Sequence, residues 1–388
     1  MYDTSLFVDK VETPAYVVDE ACLLANLQIL DGVRKRTGAK ILLAQKAFSM
    51  YSLYPLIGEY LDGTTASGLY EAKLGKEYMG NREVHVYAPA FKEKDMQELL
   101  AISDHIVFNS PKQWEKWRDQ IKQSKRKISY GIRINPEYAE VETDLYNPCI
   151  PGSRLGTTLA NLQHMDLSGI SGLHFHTMCE QDADVLWRTV QIVDEKFGDI
   201  LKQMQWINFG GGHHITKKGY KMELLEKSIA LFKDKYGLQV YLEPGEAVAL
   251  NAGFLVSEIL EIVENQKKIA ILDTSAACHM PDVLEMPYYP DILQENILCQ
   301  PAKDKNISNC YRLGGPTCLA GDVIGDYSFA KPLQEGERIV FCDMAIYTMV
   351  KNNTFNGMPL PAIYLLKKDG TLKLIRSFTY DDFKNRLS

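Results

Sequence analysis

Hydrophobic and polar positions fall into two textures along this chain. Between residues 39 and 245, short apolar or β-branched runs alternate with longer amphipathic segments. The runs are AKILLAQK (39–46), DGTTASG (62–68), EVHVYAP (83–89), DHIVFN (104–109), SYGIRIN (129–135), SGLHFHT (171–177), WINFGGG (206–212) and QVYLEPG (239–245). Near-continuous apolar runs of this kind suit parallel strands covered on both faces. The clearest helical segment runs from Asp184 to Met204, where Leu186, Val190, Val193, Phe197, Leu201 and Met204 form one apolar stripe. Another opens at Ser110, a capping residue followed by Pro111 at the first helical position. Eight strand–helix units in roughly 200 residues predict a (β/α)8 TIM barrel. A doubly wound sheet is the rival, but the glycine run does not follow the first strand as a GxGxxG turn.

After residue 250 the pattern changes. FLVSEILEIVE, KKIAILD, ERIVFCD and PAIYLLKK read as strands separated by turn signals, without long helical stripes. They predict a separate, mostly antiparallel β domain. TPAYVVD (13–19) lies ahead of the eight units and precedes a helix carrying Leu23, Leu24, Leu27 and Leu30. It is expected to pair with the carboxyl-terminal strands. The expected division is a barrel over 21–249 and a β domain of 1–20 with 250–388.

Composition narrows the class of molecule. Of 388 residues, 46% are hydrophobic and 24% charged, which excludes a disordered or collagen-like chain. The net charge of −7 leaves no basic surplus for nucleic acid. None of the eight cysteines forms a CxxC pair, so a zinc knuckle or thioredoxin motif is not expected. The start, MYDTSLFVDK, lacks the basic and apolar regions of a signal peptide, and no apolar run reaches the ~18 residues of a membrane span. A cytoplasmic setting with reduced thiols and no membrane contact is the expectation.

In a barrel, reactive groups come from the carboxyl-terminal ends of strands. That rule selects Lys46 after the first strand, Ser67 after the second and Arg154 some way beyond the fifth. It also selects His176 after the sixth, Gly210, Gly211 and Gly212 after the seventh, and Glu243 and Glu246 around the eighth. Each has a bland reading: Lys46 as a snorkelling surface lysine, His176 as a core histidine, the glycines as a tight turn, Glu243 as an acceptor for a backbone N–H. Together they meet the requirements of pyridoxal 5'-phosphate: a Schiff-base lysine, an anion-binding glycine turn, a flat ring to stack and a carboxylate for the pyridine nitrogen. Zinc held by His174 and His176, or by His213 and His214, is the competing reading. It leaves Lys46 and the glycine turn without a purpose.

Longer motifs carry a family resemblance across essentially the whole chain. AQKAF, HFHTMCE, INFGGGHHIT, YLEPGEAV, GPTCLAGD and CDMAIYTMVKNNTFNG resemble the fold-type III pyridoxal-phosphate decarboxylases, which join an alanine-racemase-like barrel to a β domain. Within that family, LYNPC, SRLG, LDTSAACHMPD and VKNNTFNG are most similar to the branch acting on carboxynorspermidine and carboxyspermidine. The resemblance implies that Lys46 holds the cofactor and His176 stacks on its ring. Gly210 to Gly212 and Tyr347 would bind its phosphate, and Glu243 would meet the pyridinium nitrogen. Cys318 would act as proton donor in the active site of the other protomer of a homodimer. Ornithine and diaminopimelate decarboxylases carry arginine after EPG and an acidic residue after the GPxC cysteine; here those positions are Glu246 and Leu319. The expected substrate is therefore a polyamine, met by Glu246, Asp282, Asp322 and Arg154, with Glu285 as a further candidate. A decarboxylase of a basic amino acid or diaminopimelate, a racemase of the same fold, and a relative that only binds partners are the alternatives. The last predicts erosion of Lys46, the glycine turn or Cys318, and all are intact.

Overall fold

The computed structural model describes residues 3–124, 126–294, 297–301 and 309–388. The chain divides into two compact units, residues 26–248 and residues 1–25 with 249–388. Strand β1 (Ala15–Asp19) belongs to the second of these. Eight further strands close into a parallel barrel: β2 (Lys40–Ala44), β3 (Gly63–Ala66), β4 (Glu83–Tyr87), β5 (His105–Phe108), β6 (Ser129–Arg133), β7 (Gly172–His174), β8 (Trp206–Asn208) and β9 (Gln239–Leu242). Every apolar run read from the sequence contains one of them.

The helices between these strands follow their own signals. Pro111–Gln123 is capped by Ser110, whose hydroxyl accepts the Gln113 N–H at 3.2 Å. Ala183–Leu201 buries Leu186, Val190, Val193, Phe197 and Leu201 as the stripe requires. Asp182 caps it one residue earlier than the periodicity alone suggests, and it stops at Leu201 rather than Met204. The carboxyl end of Met222–Tyr236 is closed by Gly237 in the left-handed region.

Strand register decides what fills the barrel. Alternate residues point inward, so Gly131, Gly172 and Trp206 share one face of three neighbouring strands. A Cβ on Gly131 or Gly172 would lie 2.3 or 2.0 Å from the Trp206 ring. Two glycines thus make the space one indole fills, and Trp206 Nε1 donates across it to Ser129 Oγ at 2.8 Å. Nearer the amino-terminal mouth the filling is polar. Lys40 donates to Glu83, Glu83 lies 2.9 Å from His85 Nε2, and the His85 and His105 rings stack with centroids 3.9 Å apart. Burial, with His85 as a neighbour, holds His105 down at about 2, so that ring stays neutral.

In the other unit, β10 (Gly253–Glu264), β11 (Lys268–Leu272), β12 (Ile292–Gln294), β13 (Ile297–Pro301), β14 (Cys310–Gly314), β15 (Val323–Ser328), β16 (Arg338–Cys342), β17 (Ala362–Leu366) and β18 (Leu372–Arg376) join β1 in a ten-stranded sheet. Its order is β11-β14-β15-β13-β12-β16-β10-β1-β17-β18. Pairings are antiparallel except β1–β17 and β11–β14. The early strand β1 sits between β10 and β17, as its position ahead of the barrel suggested. Alternation builds two cores: Tyr16, Leu255 and Phe341 lie in one, and Val17, Phe254 and Val340 in the other.

Replacing Gly172 by Ala is expected to destabilise the barrel by about 1–3 kcal/mol, since the added methyl enters a filled space. Thermal unfolding checks this: Tm should fall, and an unchanged Tm would show that Trp206 does not occupy the interior as described.

Candidate active site

At the carboxyl-terminal mouth of the barrel, each strand end delivers a polar group. Lys46 follows β2. Its side chain is reached by solvent, with protein closely packed around it. Burial lowers its pKa, and the Arg133 guanidinium lowers it further. Both effects favour the neutral, nucleophilic amine.

Glu243, just after β9, shows the opposite result. Burial alone would keep its carboxyl protonated, but His174 and Asn208 outweigh that and hold it at about 2. Asn208 Nδ2 donates to Oε1 at 2.7 Å, and His174 Nε2 lies 3.4 Å from Oε2. Asn208 also accepts the Gly210 N–H at 2.8 Å, so one amide fixes both the carboxylate and the start of the glycine turn. Gly210 and Gly212 have φ of +71° and +83°, and a Cβ on Gly211 would lie 2.4 Å from the Glu243 carbonyl oxygen. Three glycines are therefore a steric requirement of this turn. The Gly211 N–H donates to His176 Nδ1 at 2.7 Å, which places the proton of the neutral ring on Nε2. Burial and the nearby Lys46 and Arg133 keep His176 well below the usual histidine range. The Gly212 N–H has no protein acceptor among the described residues.

Sequence reasoning passed over Arg133, the last residue of β6. It is buried, donates to the His176 carbonyl at 3.0 Å and lies 4.6 Å from the Tyr87 ring centroid. A charged residue at an inward position of SYGIRIN was the available signal. Glu71 was also missed; its carboxylate accepts the Ser67 N–H at 2.6 Å, and its charge interacts with Lys46. Ser67 itself is exposed. Arg154 is exposed on a loop tied to the end of β5, where Asn109 donates to the Arg154 carbonyl at 2.8 Å and accepts the Gly156 N–H. Glu246 turns to His214, with Oε1 3.1 Å from Nε2. Of the histidines weighed for zinc, His174 faces Glu243, His176 accepts from Gly211, burial holds His213 at about 4, and His214 gathers with Glu180 and Glu246 in a group whose ligand atoms lie within 4.8 Å of one another.

In the β unit, the loop from Gly315 to Asp322 joins β14 to β15 and carries Cys318, which is exposed. Asp322, expected to meet substrate, is buried and braces this loop. It accepts from Ser275 Oγ at 2.8 Å, Thr317 Oγ1 at 2.7 Å and the Ala277 N–H at 3.2 Å. Asn356 holds the Cys318 N–H at 3.1 Å. Asp282 and Glu285 both accept from Lys351, so neither carboxylate stands free. Tyr347 has φ of +52° at the start of the short helix Thr348–Lys351.

Residues 15–345 match the family described as pyridoxal-dependent decarboxylase, C-terminal sheet domain. Carboxynorspermidine/carboxyspermidine decarboxylase of Campylobacter jejuni is 48% identical over 387 residues, covering 98% of this chain and 100% of the relative. This chain belongs to the pyridoxal-dependent decarboxylases. Carboxyaminopropylagmatine decarboxylase of Synechocystis is 41% identical, covering 98% of this chain and 96% of that relative. The crystal structure of C. jejuni carboxynorspermidine decarboxylase complexed with norspermidine superposes with a TM-score of 0.88 at 45% identity, over 97% of this chain and 100% of that one. Diaminopimelate decarboxylase of Helicobacter pylori, complexed with L-lysine, gives 0.86 at 16% identity over 99% of each chain, a likeness of fold alone.

The protein is thus a carboxy-lyase with pyridoxal 5'-phosphate as cofactor. Its residues fit that group. A solvent-reached amine of lowered pKa, an ionised buried carboxylate and a glycine turn with an amide to spare converge on one barrel mouth.

The Glu243 pairing has a pH signature. Its folded value of about 2 lies below the ordinary ~4.3. The resulting stabilisation is present above the ordinary value and is lost as pH falls toward about 2. Glu243→Gln lacks this contribution. The stability gap between wild type and variant, measured by urea unfolding, should be full at about pH 6 and narrow as pH falls toward ~3. A gap independent of pH would contradict the ionised state.

Proposed function

We propose that this decarboxylase acts on carboxynorspermidine or carboxyspermidine, yielding norspermidine or spermidine in polyamine biosynthesis. The observation that carries the reading is the full-length relation to the C. jejuni enzyme, over a barrel mouth equipped for the cofactor. The 41% relation to the Synechocystis enzyme supports carboxyaminopropylagmatine as a second candidate substrate.

In this reading Lys46 holds the cofactor covalently and later releases product. Burial lowers the pKa of its amine, which favours the nucleophilic form. Bound pyridoxal phosphate supplies the electron sink that takes up the pair left on the substrate α-carbon when carbon dioxide departs. Glu243, ionised and aligned by Asn208 and His174, would hold a proton on the ring nitrogen of the bound cofactor. His176, oriented by Gly211, presents its flat face to the ring. Ser67, Gly210, Gly211, Gly212 and Tyr347 serve the cofactor, with the spare Gly212 amide as the clearest donor for the phosphate.

Cys318 donates the proton that replaces carbon dioxide on the α-carbon. Its exposure, on a loop braced by Asp322, supports service to the partner's barrel in a homodimer. The secondary and distal amines of the substrate need acidic partners. Asp282 and Glu285 are the candidates, with Lys351 holding them until a substrate cation takes its place. Arg154, on the rim, is assigned to the substrate side.

Carbon dioxide release from the three carboxylated polyamines, set against meso-diaminopimelate and L-ornithine, tests the substrate claim. The polyamines should be turned over with far higher kcat/KM. Comparable turnover of diaminopimelate, or optical inversion without carbon dioxide release, would overturn it. Carboxynorspermidine and carboxyspermidine differ by one methylene, so their kcat/KM values should lie within about 1–3 kcal/mol of each other.

A further inference from the structure

We infer that the amino-terminal mouth of the barrel, opposite the cofactor end, holds a divalent transition metal such as zinc on Glu83, His85 and His105. Strand register assembles the group. Glu83 and His105 are the first residues of β4 and β5, and His85 pairs with His105, so two inward imidazoles stand at one level beside a carboxylate. One ligand atom from each of the three side chains lies within 4.8 Å of the other two. Lys40, the first residue of β2, donates to Glu83 at the same mouth.

Hydrogen bonds account for part of this group and leave part over. Glu83 accepts from Lys40 and lies 2.9 Å from His85 Nε2. His105 is buried and stacks on His85, yet neither of its nitrogens meets a hydrogen-bonding group among the described residues. Buried polar groups are ordinarily paired, so an imidazole with two idle nitrogens in such a group is a ligand awaiting an ion. The way in is open: Nδ1 of His105 is sealed from water but Nε2 is not, and the Lys40 and Glu83 side chains reach solvent. Two imidazoles and one carboxylate select zinc or a similar ion over magnesium and calcium, which favour all-oxygen sites. Two nitrogens on one tetrahedral zinc lie about 3.3 Å apart, given Zn–N bonds of ~2.0–2.1 Å. The ring centroids are already 3.9 Å apart, so a slight tilt of each ring turns both toward one ion. Lys40 is the competitor, since its ammonium must leave Glu83 and swing into solvent. A metal at this face of a barrel serves stability rather than catalysis.

The test titrates Zn2+ into the cofactor-loaded full-length protein, read by calorimetry and by thermal unfolding. Free cysteines and the group around His214 can also take up zinc, so differences between variants carry the result. Wild type should bind one Zn2+ per chain more than His105→Phe, which keeps a flat ring in the stack, and that ion should raise Tm in wild type alone. Lys40→Met should bind the same ion about fivefold more tightly, because the competing cation is gone. His214→Gln should retain it. Equal zinc uptake by wild type and His105→Phe would overturn the inference. So would unchanged affinity in Lys40→Met, or loss of the ion in His214→Gln. If His105→Phe does not fold, the Lys40→Met comparison decides alone.

Discussion

Close packing disfavours charge on two groups at one barrel mouth, and the rest of the site is arranged so that one yields to it and the other does not. Lys46 is surrounded by protein with a guanidinium among its neighbours, so its charged form is disfavoured. Glu243 is buried as well, yet an imidazole and a side-chain amide keep it ionised. A chemistry that needs a free amine at one end of a ring and a proton held on the ring nitrogen at the other needs this division. Arg133 serves Lys46 and His176 together. It depresses Lys46, lowers His176 and fixes the His176 carbonyl.

The fold makes the contrast possible through register. Inward positions recur every second residue, so groups distant in sequence meet in layers. Trp206 fills the middle of the barrel because two strands supply glycine beside it. Above that layer stand Tyr87, Arg133, His174 and Asn208, the last inward residues of their strands, with Glu243 just beyond β9. Below it, Lys40, Glu83 and His85 pair among themselves.

Much of this was legible in the sequence. All eight barrel strands lie inside the apolar runs, because strands covered on both faces carry an unbroken hydrophobic signal. Strand ends then point to Lys46, His176, the glycine turn and Glu243 without reference to any other protein. Partnerships were not legible, because they depend on register and loop closure. The brace from Ser275 to Asp322 spans 47 residues, and nothing in GPTCLAGD announces it. The hold of Lys351 on Asp282 and Glu285 spans 69 and 66 residues. EPGE alone cannot show that His214 stands opposite Glu246. Arg133 was passed over because a charge at an inward position of an apolar strand gives no local hint of its partners.

The central claim is that the amine of Lys46 is the point of covalent attachment. Borohydride reduction of the cofactor-loaded protein, followed by digestion and mass mapping, tests it most directly. The account requires one pyridoxyl adduct, on the peptide that contains Lys46, and its loss in Lys46→Ala. An adduct on any other lysine of the wild-type protein, or none at all, would contradict it.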